Sequence, residues 1–251
     1  MTTTSERPRS VATLTVIAVL VVAALAGLVA LGTWQLQRRV WKLDLIARVQ
    51  QRVHALPVPA PGPQAWPQVS ADHDAYRRVR VSGVFLNDRE TLVQAVTVDG
   101  PGFWVLTPLR TPDGFTVLVN RGFVPPEHRA PSSRTAGETS GATTIVGLMR
   151  MSEPKGAFLH KNAPADGRWY SRDVAAIAAD RDLSGVAPYF IDADATPNPG
   201  GLPVGGLTVI AFPNSHLVYA ITWFSLAIML AAGAIYGARQ TWRARRSGTA
   251  P

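Results

Sequence analysis

The sequence predicts a membrane protein in which two transmembrane α-helices, one towards each end, flank a mainly antiparallel β domain (α+β, barrel-like or sandwich-like) outside the cytoplasm. Two uncharged runs of 22 residues each, Val11–Gly32 and Leu217–Ala238, stand near the ends of the 251-residue chain. Between them, short stretches of alternating polarity are separated by turn-forming residues. The excess of basic residues lies beside the two runs.

The first element is a transmembrane helix, predicted over 11–33 after a cytoplasmic tail over 1–10. A helix needs roughly 20 apolar residues to cross a hydrocarbon core, and this run is long enough. A cleaved signal peptide is the alternative, because basic residues precede the run. The run exceeds the usual signal core of about 7 to 15 residues, and it continues into Trp34 and Trp41, which are typical of a membrane interface. These features favour an uncleaved helix.

The helix is expected to continue beyond the membrane as an amphipathic extension over 34–54. Apolar residues from Leu36 to Val53 recur at a spacing of three to four, which is the period of one helix face. The proline-rich string Leu56–Pro63 cannot continue a helix. The sequence therefore predicts an extended linker over 55–67.

A β-rich domain is predicted over 68–213. Its expected strands are 76–86, 91–96, 103–109, 115–120, 143–149, 189–192 and 207–212. Gly83 is expected to form a β-bulge, and Asp99–Gly102 and Pro197–Gly201 are expected to form turns. One helix is predicted over 172–182, capped by Ser171.

The second transmembrane helix is predicted over 214–238, followed by a basic cytoplasmic tail over 239–251. Four arginines follow its apolar run, and the twenty residues before it contain no lysine or arginine. Because basic residues are retained in the cytoplasm, we place both termini there and the β domain outside. The expected location is the cell membrane, inner or plasma.

The formal net charge of +8 could suggest a nucleic-acid partner. Residues 55–216 hold 14 basic and 15 acidic side chains, so the excess lies entirely in the segments beside the helices. This distribution indicates membrane topology and no nucleic-acid binding.

Small residues at a spacing of four occur in both apolar runs, as in Ala23 with Gly27 and Gly233 with Gly237. Such spacing lets helices approach closely in lipid, which predicts packing of the two helices on each other or on a partner. The alternative is that alanine and glycine are simply common in membrane helices.

The chemistry available to the chain is limited by its lack of cysteine, which excludes thiolate metal sites, iron–sulfur clusters and a cysteine nucleophile. The common hydrolase, phosphate-loop and zinc-protease motifs are also missing, so we expect no enzyme. The string Asp192–Asp194 could suggest calcium, but it lacks the rest of a calcium loop and is interpreted as a turn.

His216 is the candidate ligand among the five histidines, because it stands where the second apolar run begins. The other four, in polar contexts, are predicted to be surface residues: His54, His73, His128 and His160. On a helix, Tyr219 and Trp223 would share the face of His216. An imidazole beside aromatic residues suits a flat apolar macrocycle held through one axial nitrogen, as in haem. The alternative is a histidine of the headgroup layer beside an aromatic belt.

Several arginines of the β domain could bind haem propionates or acidic partners through bidentate hydrogen bonds. The commoner alternative is that such arginines are paired within the protein and have a structural role. These candidates are Arg77, Arg78, Arg80, Arg110, Arg121, Arg168 and Arg172.

Five strings together resemble the surfeit locus protein one family, from about Leu31 to Trp223. They are Gly32–Arg39 with Trp41-Lys42, Gly100–Pro108, Val119–Pro125, Asn162–Asp173 and Pro213–Trp223. The resemblance implies two transmembrane helices around an extracytoplasmic domain. It further implies a membrane-bound assembly factor for cytochrome c oxidase, which assists insertion of haem a into the catalytic subunit.

The resemblance also implies site residues and partners. His216 matches a proposed haem a ligand, so transient haem binding by His216, Tyr219 and Trp223 at the outer membrane edge is expected. Gly102 and Tyr219 match family motif positions of suspected structural or functional importance. The partners implied are the catalytic subunit of the oxidase and, as a further possibility, haem a synthase. The alternative hypothesis is a cofactor-free scaffold that stabilises the nascent oxidase subunit.

Overall fold

The computed structural model describes residues 11–154, 156 and 160–246. The predicted tail over 1–10 and the last five residues of the tail predicted over 239–251 lie outside the described residues. The chain divides into two units, one from the described parts of Met1–Ala47 and Ala211–Pro251 and the other from Arg48–Ile210.

The first unit contains most of one long apolar helix and the whole of another. Helix α1 covers Val11–His54 and is 44 residues long, without a break across the predicted extension. The C-terminal helix, α4, covers His216–Arg246 and is 31 residues long. Two short helices of the described residues, α2 over Ala71–Asp74 and α3 over Val174–Asp180, belong to the second unit. Helices α1 and α4 are both long and apolar enough to cross a membrane. In the most apolar stretch of α1 no residue is buried inside the protein, and in that of α4 only 11% are, so their apolar surface lacks a protein cover.

The two long helices meet at Gly32, and the glycines of the predicted small-residue spacings do not supply this contact. A Cβ at Gly32 would lie 2.7 Å from the ring of Phe224. At Gly27, Gly233 and Gly237, a Cβ would meet nothing within 4 Å. Packing of the helices is therefore present. Gly32 lies outside the predicted spacing, whereas Ala227, which belongs to it together with Ala231, is buried at 7% exposure.

The second unit is a closed β-barrel with added edge strands, which confirms the predicted fold class. In the described residues the strands are β1 Val58–Pro59, β2 Arg78–Phe85, β3 Thr91–Thr97, β4 Gly100–Arg110, β5 Thr116–Val124, β6 Ala142–Met151 and β7 Val186–Ala193. Five of them pair in the order β2-β6-β7-β5-β4, and β4 returns to β2 to close the barrel. Only β5–β7 and β1–β2 are parallel.

The barrel has a core on each side of its wall. The interior residues of β2 alternate with exposed ones, as expected for a strand with one solvent face. Strand β5 is buried along its whole length, because a second core covers its outer side. There the helix α3, Val174–Asp180, and Trp169 pack on Leu118 and Phe190.

The predicted strand over 207–212 is wrong, because this segment forms no strand in the structure. The neighbouring strand β7 is already paired on both edges, with β5 and β6. Instead, the Thr208 hydroxyl donates to the Asp192 carboxylate at 3.0 Å.

Two further local predictions need correction. Strands β2 and β6 pair in continuous register through Gly83, so no bulge forms there; a side chain at Gly83 would collide with the Arg110 carbonyl where the barrel closes. The predicted helix over 172–182 is shorter, and Asp173 caps it by accepting from the Ala176 amide at 3.2 Å. Ser171 instead accepts from the Asn162 side chain.

The proline-rich segment predicted over 55–67 as an extended linker is part of the β unit. Strand β1 within it pairs with β2, an edge position that tolerates proline. A short 3₁₀ helix follows over Pro63–Gln68. Trp66 in this helix packs edge-on against Phe115, at 5.9 Å between ring centroids.

Candidate functional site

His216 is the first residue of α4. Pro213 precedes this helix and cannot donate a backbone hydrogen bond, and the carbonyl of Ser215 accepts from the Tyr219 amide at 3.3 Å. Because the apolar run begins at the next residue, the imidazole lies at the boundary between polar and apolar sequence. An ionisable side chain at such a boundary is a functional-site candidate.

The His216 ring is half-buried and hydrogen-bonded to the other long helix. Its Nδ1 lies 2.7 Å from Oε1 of Gln35 in α1. Gln35 follows Gly32 by about one helical turn, and Gly32 is where α1 receives the Phe224 ring. The missing side chain at Gly32 therefore lets the two helices come close enough for the bond.

Tyr219 and Trp223 lie on the same side of α4 as His216, with unequal exposure. Ala220 and Ala227 form the buried centre of this side, at 1% and 7% exposure. Trp223 is half-buried like His216, and Tyr219 is 55% exposed. The three residues therefore lie at the edge of the buried face of α4, and Tyr219 is the most exposed of them.

Two cation–π pairs occur in the same unit, one within α1 and one between α1 and the segment before α4. The guanidinium of Arg38 lies 4.1 Å from the Trp41 ring centroid. The ammonium of Lys42 lies 5.4 Å from the Phe212 ring centroid. Within the described residues, neither cation has a carboxylate in ion-pair distance, so their charge is available to an anionic group.

The other four histidines differ from one another. His54, His73 and His160 are exposed, in agreement with the prediction, and His160 stacks on Tyr170. His128 is half-buried and its Nδ1 has no partner among the described residues. The surface prediction is therefore wrong for His128.

Most of the arginines proposed to bind haem propionates have ion-pair or hydrogen-bond partners within the β unit. Their partners are Asp74 for Arg77, Asp194 for Arg78, the Gly114 carbonyl for Arg110, Asn198 for Arg121, Asp166 for Arg168, and Glu153 with Asp192 for Arg172. The structure thus favours the structural alternative for these six.

Burial and neighbouring charge act differently on two of these arginines. Arg121 is 3% exposed, and burial lowers its pKa. Arg172 is also desolvated, but hydrogen bonding to Glu153 and the charge of Asp192 outweigh burial and raise its pKa. Asp194 next to this cluster accepts from the amide and hydroxyl of Thr196, which is the turn predicted in place of a calcium site.

Gln35 is the residue that sequence reasoning missed. A signal was present, because a polar amide stands two residues after Thr33, just beyond the end of the apolar run. Its partner is 181 residues away in the chain, so no local pattern could connect the two side chains.

Comparison with known proteins places most of the chain in one family. The family model described as the SURF1 family matches residues 22–228. The chain is 40% identical to the SURF1-like protein of Monosiga brevicollis over 218 residues, covering 80% of each sequence. It is 37% identical to Surfeit locus protein 1 of Mus musculus over 212 residues, covering 78% of this chain and 67% of the relative.

A third relative agrees with these two. Surfeit locus protein 1 of Homo sapiens is 36% identical over 214 residues, which is 78% of this chain and 69% of the relative. The matched region extends from within α1 to within α4 and so includes the whole barrel, most of α1 and the first part of α4. The chain belongs to the SURF1 family.

Proposed function

We propose that this protein is a non-enzymatic assembly factor for cytochrome c oxidase, which receives haem a at the outer edge of the cell membrane and assists its insertion into the catalytic subunit. Membership of the SURF1 family supports the assembly role. The observation that carries the haem proposal is His216, half-buried at the start of an apolar helix with Nδ1 already hydrogen-bonded.

The residues around His216 fit a haem cargo. Haem iron takes imidazole nitrogen as an axial ligand, and a histidine that ligates a metal usually donates its other ring N–H to a neighbour. Trp223, half-buried on the same side of α4 as the imidazole, offers an apolar aromatic ring to a macrocycle. A single protein ligand keeps the attachment reversible, as delivery requires.

The proposed topology has α1 and α4 crossing the membrane, both termini in the cytoplasm and the barrel outside. The little-buried apolar surfaces of the two helices support the crossing. In this arrangement His216 lies at the outer boundary of the bilayer. The proposed partners are the catalytic subunit of the oxidase and haem a synthase.

The test is haem extraction from the full-length protein, purified in detergent from cells that synthesise haem a. We expect haem a and a histidine-ligated spectrum in the wild type, and loss of both in His216→Ala. His73→Ala removes an exposed histidine of the β unit and serves as the control. Unchanged haem content in His216→Ala would exclude His216 as the ligand.

The cofactor-free scaffold remains the second candidate, because the barrel has an exposed apolar hairpin tip at Val96 and Val98, which are 84% and 89% exposed. It predicts co-purification of the oxidase subunit with wild-type protein that contains no stoichiometric haem. The same preparation therefore distinguishes the two functions.

A further inference from the structure

We propose that Gln35 is a positioning residue, whose side-chain carbonyl fixes the tautomer of His216 and thereby presents Nε2 to the haem iron. The inference rests on the proposed haem function and names the atom through which it operates. Gln35 makes no contact with the iron in this proposal, because it acts through the imidazole.

The tautomer follows from the hydrogen bond. Oε1 of Gln35 carries no hydrogen and can only accept. At 2.7 Å from it, Nδ1 of His216 must be the protonated nitrogen. A neutral imidazole has one protonated and one free nitrogen, so the lone pair is on Nε2, for which no hydrogen-bond partner occurs among the described residues.

Nε2 is also the sterically suitable atom. It lies at the end of the ring furthest from the backbone, whereas Nδ1 is adjacent to the carbon that joins the ring to Cβ. The hydrogen bond at Nδ1 also holds the ring plane and raises the basicity of the free nitrogen.

The position of Gln35 sets it apart from its neighbour Gln37. Gln35 is half-buried and bonded to α4, and Gln37 is exposed. The ligand on α4 therefore depends on α1, and both long helices contribute to one site. Gln37→Leu is a matched control, since it removes the same amide two residues away.

The haem test uses full-length Gln35→Leu, Gln35→Glu and Gln37→Leu, purified from cells that synthesise haem a. Loss of the hydrogen-bond partner of a metal-binding side chain costs about 10–100-fold in affinity, and we expect a loss of this size in Gln35→Leu only. Gln35→Glu keeps the acceptor, so we expect retained haem with a more negative midpoint potential, because a carboxylate increases the negative character of the imidazole.

Two outcomes would overturn the proposal. One is an unchanged midpoint potential in Gln35→Glu, which is what a purely structural role predicts. The other is wild-type haem affinity in Gln35→Leu. Should Gln35→Leu fail to fold, the potential of Gln35→Glu decides.

A second measurement does not depend on haem. In ¹⁵N NMR of the haem-free full-length protein, the His216 ring should carry its proton on Nδ1 in the wild type and in Gln37→Leu, and shift towards Nε2 in Gln35→Leu. A wild-type proton on Nε2 would refute the role of Gln35. Wild-type protein with the Nδ1 proton but without haem would instead refute the proposed function, so the two failures are distinguishable.

Discussion

Asp192 shows how the β unit accommodates buried charge at the level of single residues. Its carboxylate is 3% exposed and contacts Asn120 at 2.8 Å, Arg150 at 2.7 Å and Arg172 at 3.2 Å. A buried charge is tolerated only when it is paired and hydrogen-bonded. Because the three partners come from β5, from β6 and from the segment before α3, the cluster ties neighbouring parts of the barrel together.

Tyr189 provides a residue-level prediction. Its side chain is fully buried inside the barrel and its hydroxyl donates to the Pro61 carbonyl at 2.7 Å. Burial, with a smaller effect of Asp74, raises the pKa of Tyr189 above its ordinary value. An unfolded tyrosine ionises near pH 10 while the folded one stays neutral, so the stabilisation is present below about pH 10 and is lost as the pH rises beyond it.

Tyr189→Phe removes the hydrogen bond and the titrating group. We expect a loss of about 1 kcal/mol at pH 7 and a weaker decline of stability between pH 10 and pH 12, measured as unfolding of the purified protein followed by circular dichroism. Tyr236→Phe is the control, since that ring is 67% exposed. Equal alkaline sensitivity of Tyr189→Phe and wild type would show that Tyr189 does not contribute to it.

At the level of elements, β4 contains a close approach that only glycine permits. Gly102 was expected in a turn, but it lies in β4 opposite Ala95. A Cβ there would collide with the Val124 carbonyl and lie 2.5 Å from the Phe123 ring. The Val124 carbonyl and the Phe123 ring of the neighbouring strand β5 thus lie close against the backbone of β4.

Gly102→Ala should therefore destabilise the barrel by about 1–3 kcal/mol, the usual cost of overpacking. The readout is the apparent unfolding temperature of the full-length protein. Gly62→Ala is the matched control, because its Cβ would reach the nearest atom at an ordinary 4.0 Å. Equal unfolding temperatures for the two variants would show that β4 and β5 can separate at little cost.

The success of the strand predictions depended on whether a partner was available. Strands β2 and β6 could be predicted because alternation of apolar and polar residues indicates a strand with one exposed face. The segment 207–212 carries similar residues but forms no strand. Pairing needs a free edge, and in a closed barrel the adjacent edges are already occupied.

At the level of the whole molecule, the arrangement of charge predicts orientation. Four arginines follow the apolar part of α4, and the twenty residues before it contain no lysine or arginine. An alkaline phosphatase reporter inserted between the exposed residues Ser140 and Gly141 should be active, because this enzyme needs an extracytoplasmic location. The same reporter fused after Pro251 should be inactive.

A cytoplasmic fluorescent reporter in place of the phosphatase is the complementary control, with the opposite pattern expected. An active phosphatase at both positions would show that α4 does not cross the membrane. Activity only at the C-terminus would reverse the proposed orientation.

The features of this protein that could be predicted from the sequence are those encoded by neighbouring residues. Uncharged runs long enough to span a bilayer, alternation in the strands and the confinement of charge to the helix flanks are all local properties, readable from neighbouring residues. These properties were sufficient to predict the two apolar helices and the β-rich centre, and to select His216 as the candidate ligand. The family resemblance was readable for the same reason, since its strings are contiguous.

The tertiary structure decided which distant residues meet. Closure of β4 onto β2, the partners of the buried arginines, the contact of Phe224 with Gly32 and the bond between Gln35 and His216 all join residues far apart in the chain. No local period encodes such pairs, because they depend on how folded elements pack. The sequence alone therefore suggested His216, and only the packing of α1 against α4 revealed the side chain that orients it.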